Sequence, residues 1–355
     1  MSGPLYVIST GARTPLGLHS AACAAAVRAA ISSCAEHPFM IDQAGEPMPA
    51  SIDMQLEPDM PCRARMLSMA QSALMEACQP LANQNTFKAL PLFIGLPQPR
   101  PGFTESDAHW ISQQLNQQTQ LPLNIERSQA YMSGNSAALS LIDMAKQEMA
   151  QGLYEACLIG GVESYFHPDT MAWLDTNKQL LGSVSRAGFV PAEGAGFCLI
   201  MTPAAAQQAE LQPIAMIHST ATAWESKLIK TQDMNFGEAL IESVSSTVTA
   251  LDPNRDRINA IYCDINGERY RGEEWGFTCL KLAQYFDDPT GYWSPADCWG
   301  DMGAASGALF LGLATQAALR GYASGKRSLL WTSSESGLRA TMLLEADVIP
   351  SPYRG

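Results

Sequence analysis

Gly134-Asn-Ser-Ala-Ala-Leu-Ser-Leu-Ile-Asp-Met-Ala145 and Gly303-Ala-Ala-Ser-Gly-Ala-Leu-Phe-Leu-Gly-Leu-Ala314 are two versions of one pattern. Each opens with a tight loop of small residues and continues as a helix with an apolar, small-residue face. The first leads past Gly152 to the buried run Ala156-Cys-Leu-Ile-Gly-Gly161, and the second leads past Gly321 to Ser328-Leu-Leu-Trp-Thr332. A loop, a helix and a buried strand repeated in this way predict two related α/β halves. The run Pro203-Ala-Ala-Ala-Gln-Gln208 marks a change in composition, which places the join near 204–212 and the halves at 1–205 and 206–355. No low-complexity linker divides them, so they are expected to share one core.

Outward from these stretches, Leu5–Thr10 reads as a buried strand ending at Gly11, and the Ala-rich run 20–32 has helical spacing. Residues 36–62, rich in Pro, Asp and Met, read as a loop; 64–79 as a helix; Leu90–Gly95 as a strand; 97–107 as a Pro/Gly loop; and 108–118 as a Gln-rich helix. The 355 residues suffice for one large α/β domain or two fused halves, and 46% hydrophobic against 16% charged residues is a globular balance. A net charge of −13 argues against nucleic acid and anionic membrane surfaces, both of which require a basic face. No run reaches the roughly 18–20 apolar residues that span a bilayer, and the opening residues lack a signal-peptide pattern. Nine scattered cysteines with no C-x-x-C read as buried free thiols in a reducing, cytoplasmic compartment, with no metal or cofactor site. The glycines at 160–161 are not a dinucleotide fingerprint, and neither a P-loop nor H-E-x-x-H occurs. An aromatic-rich stretch (Tyr270, Trp275, Phe277, Tyr285, Tyr292, Trp293, Trp299) reads first as core packing and second as an interaction surface.

Five segments in order resemble the β-ketoacyl synthases of the thiolase-like superfamily. They are Val7-Ile-Ser-Thr-Gly-Ala-Arg-Thr-Pro-Leu-Gly17, Tyr131–Ala145, Ile159-Gly-Gly-Val-Glu-Ser164, Gly188-Phe-Val-Pro-Ala-Glu-Gly-Ala-Gly196, and the loops at 264–268, 300–307 and 332–345. The fourth is similar to the family's "GFVPGEGAG" almost letter for letter. The resemblance implies a five-layered α-β-α-β-α sandwich of two duplicated halves, dimeric through a strand near Gln129-Ala-Tyr-Met132.

Ketosynthase chemistry needs a thiolate at a helix N-terminus and two histidines that polarise a carbonyl and stabilise an enolate. Aligned on "TACSSSL", the stretch Ser133-Gly-Asn-Ser-Ala-Ala-Leu139 puts Asn135 at the nucleophile position, where an N-cap is its simplest role. Ser133 or Ser136 would be the nucleophile under a slipped alignment. The loop Asp264-Ile-Asn-Gly-Glu268 puts Asn266 at the first histidine, and Gly300-Asp-Met-Gly303 puts Asp301 at the second. The chain's histidines (19, 37, 109, 167 and 218) all precede both loops, and His167 and His218 read as surface or loop residues. In Ser334-Glu-Ser-Gly-Leu-Arg339, Glu335 stands where active relatives carry a gating phenylalanine and Arg339 where they carry an asparagine. No catalytic residue is intact, and an ionised Glu335 beside an acyl tunnel is unfavourable unless paired.

Three readings of the altered pocket (Asn135, Asn266, Glu268, Asp301, Glu335, Arg339) follow. It is a closed structural network, a repurposed ligand pocket, or a residual catalytic site with Ser133 or Ser136 as nucleophile and Asp301 as base. The resemblance points to a pseudoenzyme that works through a protein partner. That partner is an active ketosynthase, as for chain-length factors, or an effector or spike protein of type VI secretion. The alternative is a β-ketoacyl-ACP synthase or acyltransferase with an unorthodox site. The acidic charge weighs against docking of an acidic carrier protein.

Overall fold

The computed structural model describes residues 3–84, 86–118, 120–183, 185–229, 231 and 234–347. In chain order the elements are β1 Leu5–Arg13, α1 Ser20–Arg28, β2 Ala35–Ile41, β3 Pro47–Ala50, α2 Cys62–Ala77, β4 Ala89–Gly95 and α3 Glu105–Asn116. Next come β5 Asn124–Tyr131, α4 Ala137–Ala150, β6 Ala156–Ser164, α5 Pro168–Thr176, β7 Glu193–Met201 and α6 Pro203–Gln208. The remainder is β8 Ala215–Trp224, α7 Glu238–Val248, β9 Ala260–Cys263, α8 Arg269–Leu282, α9 Ala296–Trp299, α10 Ser306–Leu319, β10 Arg327–Ser333 and β11 Leu338–Glu345.

The first five long strands lie in the order β5-β4-β6-β7-β1, with β7 antiparallel to both neighbours and β4 parallel to β5 and β6. The later strands repeat that course as β9-β10-β11-β8, with β11 antiparallel to β10 and β8, and β9 parallel to β10. The counterpart of β5 is reduced to two parallel bridges, Ile258 to Phe286 and Tyr262 to Trp293. The two sheets are hydrogen-bonded to each other where β1 meets β8, at Leu5–Ile217, Tyr6–Met216 and Val7–Ala215.

Helices α4 and α10 touch strands of both sheets and each other, while α2 and α3 pack on the outer side of the first sheet and α7 on that of the second. The result is the α-β-α-β-α layering. Residue chemistry accounts for it. Helix α10 is apolar and small on every side and buried almost throughout, so only a position between two sheets satisfies it. Strands β6, β7 and β11 are buried at every residue, as strands covered on both faces must be. The middle layer joins both halves in one core, with Val7, Leu139, Ile142, Leu309, Leu330 and Met342 in a single cluster.

The two opening stretches match in detail. Both helices are preceded by one 3-10 turn, Gly134–Ser136 and Gly303–Ala305, whose first glycine has positive φ (63° and 43°). The reading of 36–62 as a loop is corrected: it contains the hairpin β2–β3. Its prolines at 38, 47 and 49 disguise the strand period, and Met40 and Met48 pack on Phe166 and Phe189. The aromatic stretch divides, with Trp275 and Trp299 in the core and Trp293 41% exposed at the rudimentary strand.

Candidate functional site

The loops after β4, β5, β6, β9 and β10 meet the α9–α10 connection at the C-terminal ends of the strands, which is where open α/β sheets place their sites. Asp301 lies at the centre, 3% exposed. Its carboxylate accepts from Asn266 Nδ2 at 2.5 Å, Gly303 N at 2.7 Å and Tyr165 Oη at 3.0 Å, with Asn135 Nδ2 at 3.4 Å. The three positions singled out in the sequence therefore share one buried carboxylate. Asn135 does not cap α4. It sits inside the 3-10 turn, whose N-cap is Ser133, and its amide turns toward Asp301 instead.

From Asn266 the network continues. Its Nδ2 also reaches Glu268 Oε2 at 3.2 Å, and that carboxylate accepts from Arg271 Nε at 3.2 Å. Arg271 Nη1 donates to Asp264 Oδ2 and to the Ser333 carbonyl, each at 2.6 Å. Burial pushes the Asp264 carboxyl up to about 6 despite the guanidinium, and burial raises Glu268 as well. On the other side of Asp301, Glu163 is held by Arg100 Nη2 at 2.6 Å and accepts from Ala304 N at 3.2 Å. Burial raises Glu163 too, and Arg100 lies 4.5 Å over the ring of Tyr165. Gly303 must be glycine: with φ +43°, a Cβ there would stand 2.1 Å from the Glu163 carboxylate.

Arg339 is buried but does not reach Asp301. It forms a bidentate pair with Glu274, Nε to Oε2 at 2.8 Å and Nη2 to Oε1 at 2.5 Å. It also donates to the Ser334 carbonyl at 2.8 Å, so it fixes the turn between β10 and β11. Glu335, on that turn, accepts from Gln179 Nε2. Glu335 lines an inner pocket of about 70 Å³ beside Asn135, Glu163 and Tyr165. Gln179 lines an outer cleft of about 700 Å³ with Lys178, Glu268, Arg269, Tyr270 and Phe236. Their hydrogen bond links one lining residue of each.

The serine readings find no geometry. Ser136 is fully buried, with its hydroxyl 2.9 Å from the carbonyls of both Thr332 and Leu338. The Ser133 carbonyl accepts from Ser334 Oγ at 2.5 Å, and no hydrogen bond joins either serine to Asp301 among the described residues. Cys62 is the thiol beside this region, 3.6 Å from the Ser164 carbonyl, and burial pushes it up to about 11. His167 N-caps α5, and the half-buried His218 lies on β8.

Tyr165, Arg100, Asp264, Arg271 and Glu274 were not singled out in the sequence. A signal existed for some: Asp264 and Arg271 flank the Asn266 loop, and Tyr165 follows the Glu163-Ser164 motif directly. Glu193, from the most specific motif, belongs to a separate buried pair with Arg65, Oε2 to Nε at 2.9 Å and Oε1 to Nη2 at 2.5 Å.

Residues 127–206 match the family described as beta-ketoacyl synthase, N-terminal domain. Among solved structures, the chain is similar to the AntDE:AntF type II polyketide ketosynthase in complex with its acyl-carrier protein. The TM-score is 0.78 at 13% identity, covering 98% of this chain and 100% of that one. The fold is that of the ketosynthases. This ketosynthase-like chain is also similar to the ketosynthase from module 6 of the bacillaene synthase from Bacillus subtilis 168. That match has TM-score 0.75 and 14% identity and covers 97% and 72% of the two chains. A third match is the ishigamide ketosynthase/chain length factor, with TM-score 0.69 and 17% identity over 97% and 100%. No curated protein matches the sequence. The resemblance to the thiolase-like β-ketoacyl synthases is borne out. No helix among the described residues is long and apolar enough to cross a membrane.

Proposed function

We propose that this ketosynthase-like chain is a pseudoenzyme that acts as a protein partner rather than as a condensing enzyme. The observation that carries the reading is the bonding of Asn135, Asn266 and Asp301 into one buried network, at the positions where condensation would need a thiolate and two imidazoles. An amide cannot form an acyl-enzyme. The inner pocket of about 70 Å³ beside Asn135 is lined by Glu163 and Glu335, polar groups ill suited to an acyl chain.

In this reading the halves 1–205 and 206–355 form one unit that pairs with a second chain through the edge of β5, which has no neighbour beyond it in the sheet among the described residues. Homodimer and heterodimer are both served by that edge. An active ketosynthase is the partner favoured by the likeness to the ishigamide ketosynthase/chain length factor. An effector or spike protein of type VI secretion is the other partner class, and for either class the net charge of −13 weighs against docking of an acidic carrier protein. All nine cysteines are unpaired, as suits a cytoplasmic setting.

Incubation with acyl-CoA and acyl-carrier donors tests the loss of catalysis. No mass increment is expected. An increment lost in Ser133→Ala or Ser136→Ala would establish the unorthodox acyltransferase instead. Pull-down from the native host then separates the partners, since recovery of a ketosynthase supports one class and recovery of an effector or spike protein the other.

A further inference from the structure

We propose that the cradle around Asp301 is an anion site for a small carboxylate, filled in this chain by its own side chain. Asp301 is a buried carboxylate with no guanidinium or ammonium paired to it among the described residues. Neutral donors hold it: Asn266 Nδ2, Gly303 N, Tyr165 Oη and, more distantly, Asn135 Nδ2. Several neutral donors aimed at one oxygen pair are how proteins stabilise a negative charge without a counter-ion. Two of them sit just before long helices, α4 and α10, whose N-terminal dipoles add to the same field.

The donors are also fixed by contacts other than Asp301. Asn266 Oδ1 accepts from Glu268 N at 3.0 Å, which sets the direction of its amide. Tyr165 lies under Arg100 and packs against Phe189 at 5.2 Å between ring centroids. Gly303 is fixed by its left-handed turn. The neighbouring acids have cations of their own, Glu163 with Arg100 and Glu268 and Asp264 sharing Arg271, although Glu268 also takes part of the Asn266 amide. A preorganised cradle of this kind remains when its occupant is cut away. The inference does not depend on whether the chain has a protein partner.

Asp301→Gly removes the –CH2–COO⁻ group, and acetate supplies the same atoms. Thermal unfolding of Asp301→Gly is measured in sodium acetate, in equimolar sodium chloride and in acetamide, beside the unmodified protein. Acetate is expected to raise the Tm of the variant saturably, by about 2 °C or more over chloride, with no effect of acetamide and no difference for the unmodified protein. In Asp301→Gly/Tyr165→Phe the concentration of acetate needed is expected to rise several-fold. A folded variant whose Tm is the same in acetate and chloride overturns the proposal. If the glycine variant does not fold, Asp301→Ser takes its place. If neither folds, the yield of folded protein on refolding in acetate against chloride decides, and equal yields overturn it.

Discussion

Asn266 donates its side-chain amide to the carboxylate of Asp301 at 2.5 Å, and so joins directly two positions that the ketosynthase resemblance assigns to separate histidines. Two imidazoles placed to grip a substrate would leave room between them. These two side chains grip each other instead.

Arg271 carries the load on the far side of the network, with Asp264, Glu268 and the Ser333 carbonyl all on one guanidinium. Arg271→Met leaves two buried carboxylates without their cation and is expected to cost about 3–5 kcal/mol in urea denaturation. Arg271→Lys recovers only part, because a single ammonium cannot serve both acids and the carbonyl in fork geometry.

Stability should depend on pH through Asp264. Its folded carboxyl titrates at about 6 against an ordinary 3.8, so the folded chain keeps a proton that the unfolded chain has released. Its contribution is complete below about pH 4 and is lost as pH rises through about 6, a change of at most about 3 kcal/mol. Raised Glu163 and Glu268 act in the same direction. Urea midpoints taken between pH 4.5 and 7.5 are expected to fall with pH, and Asp264→Asn is expected to flatten that fall by about one proton.

Restoring the missing groups alone is expected to fail. The triple variant Asn135→Cys, Asn266→His, Asp301→His should show no mass increment with acyl donors, because Glu335 still lines the pocket beside position 135, hydrogen-bonded to Gln179. Intact-mass measurement after incubation checks this.

Ser136→Ala should lower stability by about 1–3 kcal/mol and leave acyl labelling at zero. The hydroxyl lies against two buried carbonyls, of Thr332 and Leu338, so its loss removes a donor that tethers the start of α4 to the β10–β11 turn.

The paired loop–helix–strand stretches carried the alternating α/β fold and its duplication, whereas the five layers came only with the resemblance to the ketosynthases. The three altered positions came from the same resemblance, each in a short loop beside a glycine. What the sequence hid were partners distant in the chain. Nothing local in Arg100 announces Glu163, and nothing near Arg339 announces Glu274. The N-cap expected of Asn135 failed for a similar reason: a 3-10 turn over Gly134–Ser136 precedes α4, so Ser136 takes the cap position and Asn135 lies within the turn, which composition alone does not resolve. The hairpin at β2–β3 was hidden by its prolines, which tolerate an edge strand but break its visible alternation.

At the seam where Leu5, Tyr6 and Val7 run beside Ile217, Met216 and Ala215, the chain's beginning is stitched to the start of its second half. A protease nick in the exposed connector at 210–213 would therefore release nothing, since each fragment would keep its grip on the other through that stitch and through the helices shared between them. Either fragment made alone would bare the faces of α4 or α10 to water and would aggregate unless its counterpart were supplied.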